Sequence, residues 1–233
     1  MRRLVGAIFI LACLAILIHD AASGRFRTFR DLRDERYIHH LFSAVGRDDL
    51  AEVRRLVRIV GDIDAKDTGG RTAPHRARSV VVAQLLLDRG ANVNAKAYTL
   101  DMTPLHLAID EVRQDIARLL IASGADVNAR DRTGSTPLHF AAKTCQKQIA
   151  ELLIRNGADV NARTASRLPL RLSSCLTRFE TRATPLDVAR SSFIITFLRK
   201  HGGKTRMELD EEDIGQKSEG GTKGERRVQE PGK

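Results

Sequence analysis

The sequence predicts an all-α solenoid in which short helix-turn-helix units stack side by side and are joined by β-hairpin loops. Three observations predict it. Val93-Asn94-Ala95, Val127-Asn128-Ala129 and Val160-Asn161-Ala162 recur at intervals of 34 and 33 residues, and each follows a Gly-Ala pair. Thr103-Pro104-Leu105-His106 returns 33 residues later as Thr136-Pro137-Leu138-His139. Aromatic residues are scarce, with eight Phe, two Tyr and no Trp. A core of Leu, Ala, Val and Ile suits stacked small helices better than a sandwich or barrel. Self-similarity at such a period is the mark of a repeat array.

Each element follows from local chemistry. Thr at a helix N-cap accepts a bond from an unsatisfied backbone N–H, and Pro in the first turn loses no helical bond. Leu105, Ala108 and Ile109 then share one face of a short first helix. Ile116, Leu119 and Leu120 give the second helix its i, i+3, i+4 stripe. Gly124 follows as the residue best able to take the left-handed turn that ends a helix. Asp131-Arg132-Thr133-Gly134 reads as a tight turn.

Together these motifs resemble the ankyrin repeat, whose period and T-P-L-H-x-A signature match over about residues 37–204. Five units are expected at about 37–67, 68–97, 98–131, 132–163 and 184–204. The first ends Ile63-Asp64-Ala65 where the others have Val-Asn-Ala. The second starts Thr72-Ala73-Pro74-His75, and its Thr-to-Gly distance is 18 residues against 21 in the third and fourth. Its helices have therefore lost three residues, about one turn, and its packing is expected to be the weakest. The fifth unit, from Thr184-Pro185-Leu186-Asp187, is equally short and reads as a capping repeat. Between units four and five lies an insertion at 164–183, in which Arg167, Arg171, Arg178 and Arg182 alternate with leucines. Loops this long are uncommon unless functional or disordered. Residues 205–233 are rich in Glu, Lys, Gly and Gln and are expected to form a disordered polar tail.

The amino terminus reads as an export signal. Met1-Arg2-Arg3 is positive, Leu4 to Ile18 carries no charge, and small residues Ala21 to Gly24 follow. Cleavage is expected before Gly24, leaving a basic linker at 24–36 and a secreted or periplasmic protein. The rival is a retained single-pass anchor over 1–23, although fifteen apolar residues are short against the roughly 20 that a spanning helix needs. Ile10-Leu11-Ala12-Cys13 only faintly resembles a lipoprotein box, because the apolar stretch continues past Cys13. Cys145 and Cys175 would then be the remaining thiols. The turn and the insertion that hold them lie about 12 Å apart, beyond the reach of a disulfide, so free thiols are expected.

The net charge is +10. From Arg163 to Lys200 eight basic residues face two acidic ones, whereas the tail from Lys204 is nearly neutral, so the excess sits in the folded part. No aromatic stacking platform interleaves with the basic residues, so nucleic acid is not an expected partner. No nucleophile–base pair, phosphate loop or paired carboxylates stand outside repeat positions; Gly203-Lys204-Thr205 lacks the rest of a P-loop and follows a helix. No enzyme activity and no cofactor are expected. His75, His106 and His139 recur once per unit, but neighbouring units stack roughly 10 Å apart, too far for one metal. The resemblance implies instead that this His is structural and bonds across neighbouring repeats.

The resemblance further implies a monomeric protein-binding module that grips its partner with hairpin tips and exposed first-helix positions. Those positions here are Lys66, Thr68 and Arg71, then Lys96, Tyr98, Met102, Asp110 and Glu111. In unit four they are Arg130, Arg132, Ser135, Lys143 and Thr144, and Arg163, Arg167 and Arg171 lead into the insertion. The basic residues at the tips point to an acidic partner surface. Membrane contact through anionic lipid is expected only if the amino-terminal segment is retained.

Overall fold

Each full repeat is an antiparallel helix pair whose ends are set by residues visible in the sequence. The computed structural model describes residues 29–165 and 182–220, with side chains described over 37–165 and 182–214. Its helices are α1 (Phe29–Arg47), α2 (Leu50–Leu56), α3 (Ala73–Arg76), α4 (Val80–Asp88) and α5 (Pro104–Asp110). They continue as α6 (Gln114–Ala122), α7 (Pro137–Lys143), α8 (Lys147–Arg155), α9 (Ser192–Lys200) and α10 (Arg206–Gly220). First helices α1, α3, α5 and α7 pack on one another in one layer, and second helices α2, α4, α6 and α8 form the layer behind. Among the described residues there is no strand; the hairpin loops are turns closed by isolated backbone bonds such as Asp131 N–H to the Ser135 carbonyl (3.0 Å).

The core runs the length of the stack as one cluster of Leu, Ile, Val and Ala. Leu105, Ile109, Leu120, Leu138, Ile149 and Leu153 are fully buried, and each contributes roughly 1.5–3 kcal/mol by leaving water. Ala108, Ala117, Ala141 and Ala150 are buried between them, where small side chains let the helices approach closely.

Two segments depart from the sequence reading. Residues 29–36, expected as part of a basic linker, begin α1, because no Gly or Pro interrupts the chain between Phe29 and Val45. Residues 206–220, expected as part of a disordered tail, form α10. Thr205 N-caps this helix: its hydroxyl accepts from the Glu208 N–H at 3.3 Å, and in return the Thr205 N–H and hydroxyl donate to Glu208 Oε2 at 2.7 and 3.0 Å. This Thr-x-x-Glu capping pattern outweighs the polar composition.

The short second repeat loses its three residues from the first helix alone. α3 has four residues where α5 and α7 have seven, while α4 keeps the nine of α6 and α8. The open end of α3 is bridged from the third repeat, where Arg113 Nη1 donates to the Ala77 carbonyl at 2.5 Å. The fifth unit shows the same economy. Its first helix is reduced to a turn over 185–188, and Asp187 replaces His by accepting from the Thr184 N–H and hydroxyl at 2.8 and 2.9 Å.

Buried histidines tie the repeats together. In each Thr-x-x-His cap the imidazole Nδ1 accepts from the Thr backbone N–H, at 3.1 Å in Thr72–His75, 3.3 Å in Thr103–His106 and 3.1 Å in Thr136–His139. Nε2 faces a carbonyl of the following unit: Met102 for His75 (3.0 Å), Ser135 for His106 (3.2 Å) and Ala183 for His139 (3.1 Å). A carbonyl can only accept, so Nε2 carries the proton and the ring is neutral. Burial pushes His106 and His139 down to about 4, and lowers His75.

Asn residues of the Val-Asn-Ala triplets make a second ladder along the hairpins. Asn94, Asn128 and Asn161 accept through Oδ1 from the backbone N–H of Asp126, Asp159 and Lys204 (2.8, 2.9 and 2.8 Å). Their Nδ2 groups donate to the carbonyls of Gly124, Gly157 and Gly202 (3.4, 2.9 and 3.1 Å). The triplet is therefore a rung, used by each repeat to satisfy the turn of the next.

Two outcomes follow for stability. The folded pKa of His106 and His139 lies near 4, below the unfolded value of about 6.5, so their neutral forms stabilise the fold above pH 6.5. That stability is lost as pH falls from 6.5 towards 4, by about 3 kcal/mol for each group. Urea midpoints measured across this window should drop steeply, and His106→Gln should remove about one proton from the pH slope; an unchanged slope contradicts the assignment. Separately, Val112 is β-branched, 54% exposed and held at φ 59° between α5 and α6. Val112→Gly should raise stability by roughly 1 kcal/mol, read from thermal or urea midpoints.

Candidate protein-binding surface

The residue after each Val-Asn-Ala triplet, or its Ile-Asp-Ala equivalent, is basic: Lys66, Lys96, Arg130 and Arg163. The turns place these four side chains in a row along the hairpin edge, and each reaches the next. Lys66 Nζ donates to the Lys96 carbonyl (3.0 Å), Lys96 Nζ to the Arg130 carbonyl (3.3 Å), and Arg130 Nη1 to the Arg163 carbonyl (2.6 Å). These bonds hold the cations in register without neutralising them, because the acceptors are carbonyls rather than carboxylates. Lys66 also lies 4.6 Å from the centre of the Tyr98 ring, a cation–π contact contributing roughly 0.5–1 kcal/mol at an exposed site.

The tips themselves are tightly tied. Asp131 is buried, and its Oδ1 accepts from the backbone N–H groups of Thr133 and Ser135 and from the Thr133 hydroxyl, at 2.7–2.8 Å. Desolvation raises its pKa, and these bonds oppose the rise. Gly134, at φ 78°, lets the next tip cross over it: a Cβ there would stand 2.5 Å from the Ala165 nitrogen. Only glycine fits.

The structure brings most of the sequence-predicted binding residues to this edge or to the adjoining first-helix face. Lys66, Thr68, Arg71, Lys96, Tyr98, Arg130 and Arg132 are exposed. Arg132 Nη2 donates to the Tyr98 carbonyl at 2.8 Å and lies 3.4 Å from Asp101. Asp110 and Glu111 are exposed at the end of α5; Asp110 pairs with half-buried Lys143 at 4.0 Å, and Glu111 with Arg113. Half-buried Thr144 spends its hydroxyl on the Phe140 carbonyl at 2.7 Å.

Met102 is a correction. It is 8% exposed and belongs to the core cluster. It stands just before the capping Thr103, where its carbonyl accepts from His75 and its apolar side chain joins the core beneath the tip. Ser135 is likewise fully buried beneath the tip. Arg167, Arg171 and Cys175 lie outside the described residues, as do residues 1–28. The ends of the insertion are fixed, with the Thr164 N–H donating to the Ala183 carbonyl at 3.0 Å.

Sequence reasoning placed Arg163 at the edge but missed its partner, the acidic start of α10. Arg163, the fourth cation of the row, is half-buried and paired with Asp213 (3.0 Å) and Asp210 (3.4 Å) of α10. The signal was present as an acidic run, Glu208 to Asp213, behind the Thr205 cap. A groove of about 740 Å3 opens at the amino-terminal end of the same face, between Phe42 and Ser43 of α1 and the tip over 65–68. Among the described residues no three His, Cys, Asp or Glu side chains cluster as metal ligands. The three histidines are consumed by the caps, and Gly203-Lys204-Thr205 by the start of α10, where Lys204 pairs with Glu212 at 2.5 Å.

Comparison with known proteins identifies the scaffold. The family model described as ankyrin repeats (3 copies) matches residues 38–131 and 82–164, more than half of the chain. Zygote-specific protein 3 of Chlamydomonas reinhardtii is 30% identical over 139 residues, covering 58% of this chain and 35% of that protein. An ankyrin repeat protein of Acanthamoeba polyphaga mimivirus is 28% identical over 106 residues, 44% of this chain and 14% of the relative. The mouse 2-5A-dependent ribonuclease is 45% identical over 56 residues, 24% of this chain and 8% of the enzyme. The chain thus spans about a third or less of the length of these relatives. Ankyrin repeats serve as protein–protein interaction scaffolds and are generally non-catalytic. On the matched repeats and the stacked caps that build them, this chain belongs to the ankyrin-repeat family.

Proposed function

We propose that this chain is a non-catalytic scaffold that binds an acidic protein surface outside the cytosol through its hairpin tips, first helices and the 164–183 insertion. The observation that carries the reading is the row Lys66, Lys96 and Arg130, which donate to backbone carbonyls and keep their charge available along one edge. A periodic line of cations at repeat spacing offers carboxylates a repeated match, which favours steering and register. The exposed Tyr98 ring, at 60%, adds an aromatic anchor in the middle of the row. Export is supported by the charge and apolar pattern of residues 1–24.

A second reading keeps residues 1–23 as an anchor and sets the repeats beside a membrane. It is favoured by Arg54 and Arg58, which surround the 43% exposed Ile59 at the amino-terminal end of the stack; such a patch suits anionic headgroups. Among the described residues no helix is long and apolar enough to cross a membrane, and residues 4–18 lie outside them.

Replacing Lys66, Lys96 and Arg130 together with Gln should weaken binding of a fluorescein-labelled oligoglutamate peptide about tenfold while leaving the thermal midpoint within a few degrees. Raising salt from about 0.1 M to about 1 M, which shortens the screening length from about 10 to about 3 Å, should do the same to the unmodified protein. Binding indifferent to both changes contradicts the acidic-partner reading. Intact mass of the native protein tests export: a chain beginning near Gly24 in the exported soluble fraction supports it, and a full-length mass in the membrane fraction supports the anchor.

A further inference from the structure

The fourth position of the cation row differs from the first three. Lys66, Lys96 and Arg130 donate to carbonyls, but Arg163 meets carboxylates, with Asp213 at 3.0 Å and Asp210 at 3.4 Å. Asp210 also lies 3.5 Å from Arg182, at the far end of the insertion. These acids come from α10, which carries Glu208, Asp210, Glu211, Glu212 and Asp213 in its first eight residues against Arg206 alone. Asp210 and Asp213 are three apart and so share a helix face. The chain thus carries an acidic helix seated on its own basic edge.

How the helix is held decides what it can do. Its apolar side chains contribute little: Met207 is 67% exposed, Ile214 is 69% exposed, and Leu209 is only partly buried and outside the core cluster. Beyond the Arg206 N–H, which donates to Asp187 Oδ2 at 2.9 Å where the helix starts, the attachments are ionic and lie at the surface, with Arg199–Glu208 at 2.6 Å and Lys204–Glu212 at 2.5 Å beside the Arg163 and Arg182 pairs. The bond from Arg199 draws Glu208 down to about 2. Exposed ion pairs of this kind are individually weak and are screened by salt. A helix that caps the stack permanently would bury an apolar stripe; this one leaves two of its three apolar side chains in water.

We propose that α10 is a displaceable internal occupant of the basic edge, so that an acidic partner engages Arg163 and Arg182 in competition with it. The inference rests on the acidic-partner reading above and adds its regulation. Covalent tethering gives α10 an effective concentration on the order of millimolar, so it screens out weak, scattered anions. A partner presenting carboxylates to several cations of the row at once gains contacts that α10 lacks and displaces it. The arrangement also describes the ligand: the Arg163–Arg182 pair accepts carboxylates at i and i+3 of a helix, so a partner segment of that form fits it.

The test uses the full chain and the variant Asp210→Asn with Asp213→Asn. The variant should bind the labelled oligoglutamate peptide about tenfold more tightly than the unmodified chain at low salt. Its amide exchange should quicken over residues 206–214 while that of α5 to α8 stays unchanged. Oligoglutamate added to the unmodified chain should quicken exchange over the same residues. Exchange that stays slow in the variant, or quickens through the whole stack, would make α10 a fixed part of the fold and overturn the inference. Equal peptide affinity in both forms, with the helix released, would overturn the competition alone. Release of the helix with no peptide binding by either form would overturn the acidic-partner reading and the competition with it.

Discussion

The arrangement depends on a neutral imidazole buried between repeats. In each Thr-x-x-His cap one ring nitrogen satisfies the start of its own helix and the other satisfies the carbonyl that opens the next one. A solenoid has no long-range topology to fix one unit against another, so its cohesion is a sum of nearest-neighbour terms. The imidazole supplies such a term twice over, because losing it leaves the buried Thr N–H unpaired, at about 1–3 kcal/mol, and takes one of two donors from the carbonyl of the following unit, which keeps only its backbone N–H partner. The Asn ladder does the same work at the hairpins with a side-chain amide. Between them the two ladders set the register of successive tips, and the register of the tips sets the spacing of the cation row.

That dependence explains why two shortened units are tolerated. The second repeat keeps Thr72 and His75 and gives up only the last turn of its first helix, so the rung to Met102 survives. Arg113 fills the opening with a guanidinium that reaches the stranded Ala77 carbonyl. The fifth unit is followed by α10 in place of a helix pair, and its His becomes Asp187. Its carboxylate caps Thr184 and also accepts from the Arg206 N–H that begins α10. Where the helix pairs give way to α10, the change turns a repeat-to-repeat link into a repeat-to-helix link.

Most of the fold was legible because its signals are local and periodic. Thr-Pro-Leu-His fixes helix starts, glycine fixes helix ends, and the 33-residue period fixes which copy meets which. The length of α1 was less visible, since a charged segment without apolar rhythm reads as a linker until the absence of any breaker is weighed. The helical start of the tail was hidden for a similar reason: composition over 205–233 outweighed the Thr205–Glu208 cap. At the candidate surface, the basic tip residues were legible as charges but their mutual bonds were not. Those bonds depend on carbonyls about thirty positions away, which no local window contains. Met102 and Ser135 illustrate the converse case, where the residue just before the capping Thr lies beneath the tip although Arg71, at the same place in the second repeat, is exposed.

The most direct test of this account is the protonation of His106 and His139, observed through their ring nitrogens by NMR over a pH titration. The account predicts the Nε2–H tautomer at neutral pH and titration near 4, accompanied by loss of the folded spectrum. Titration near the ordinary value of about 6.5 with the fold intact, or a proton on Nδ1, would contradict it.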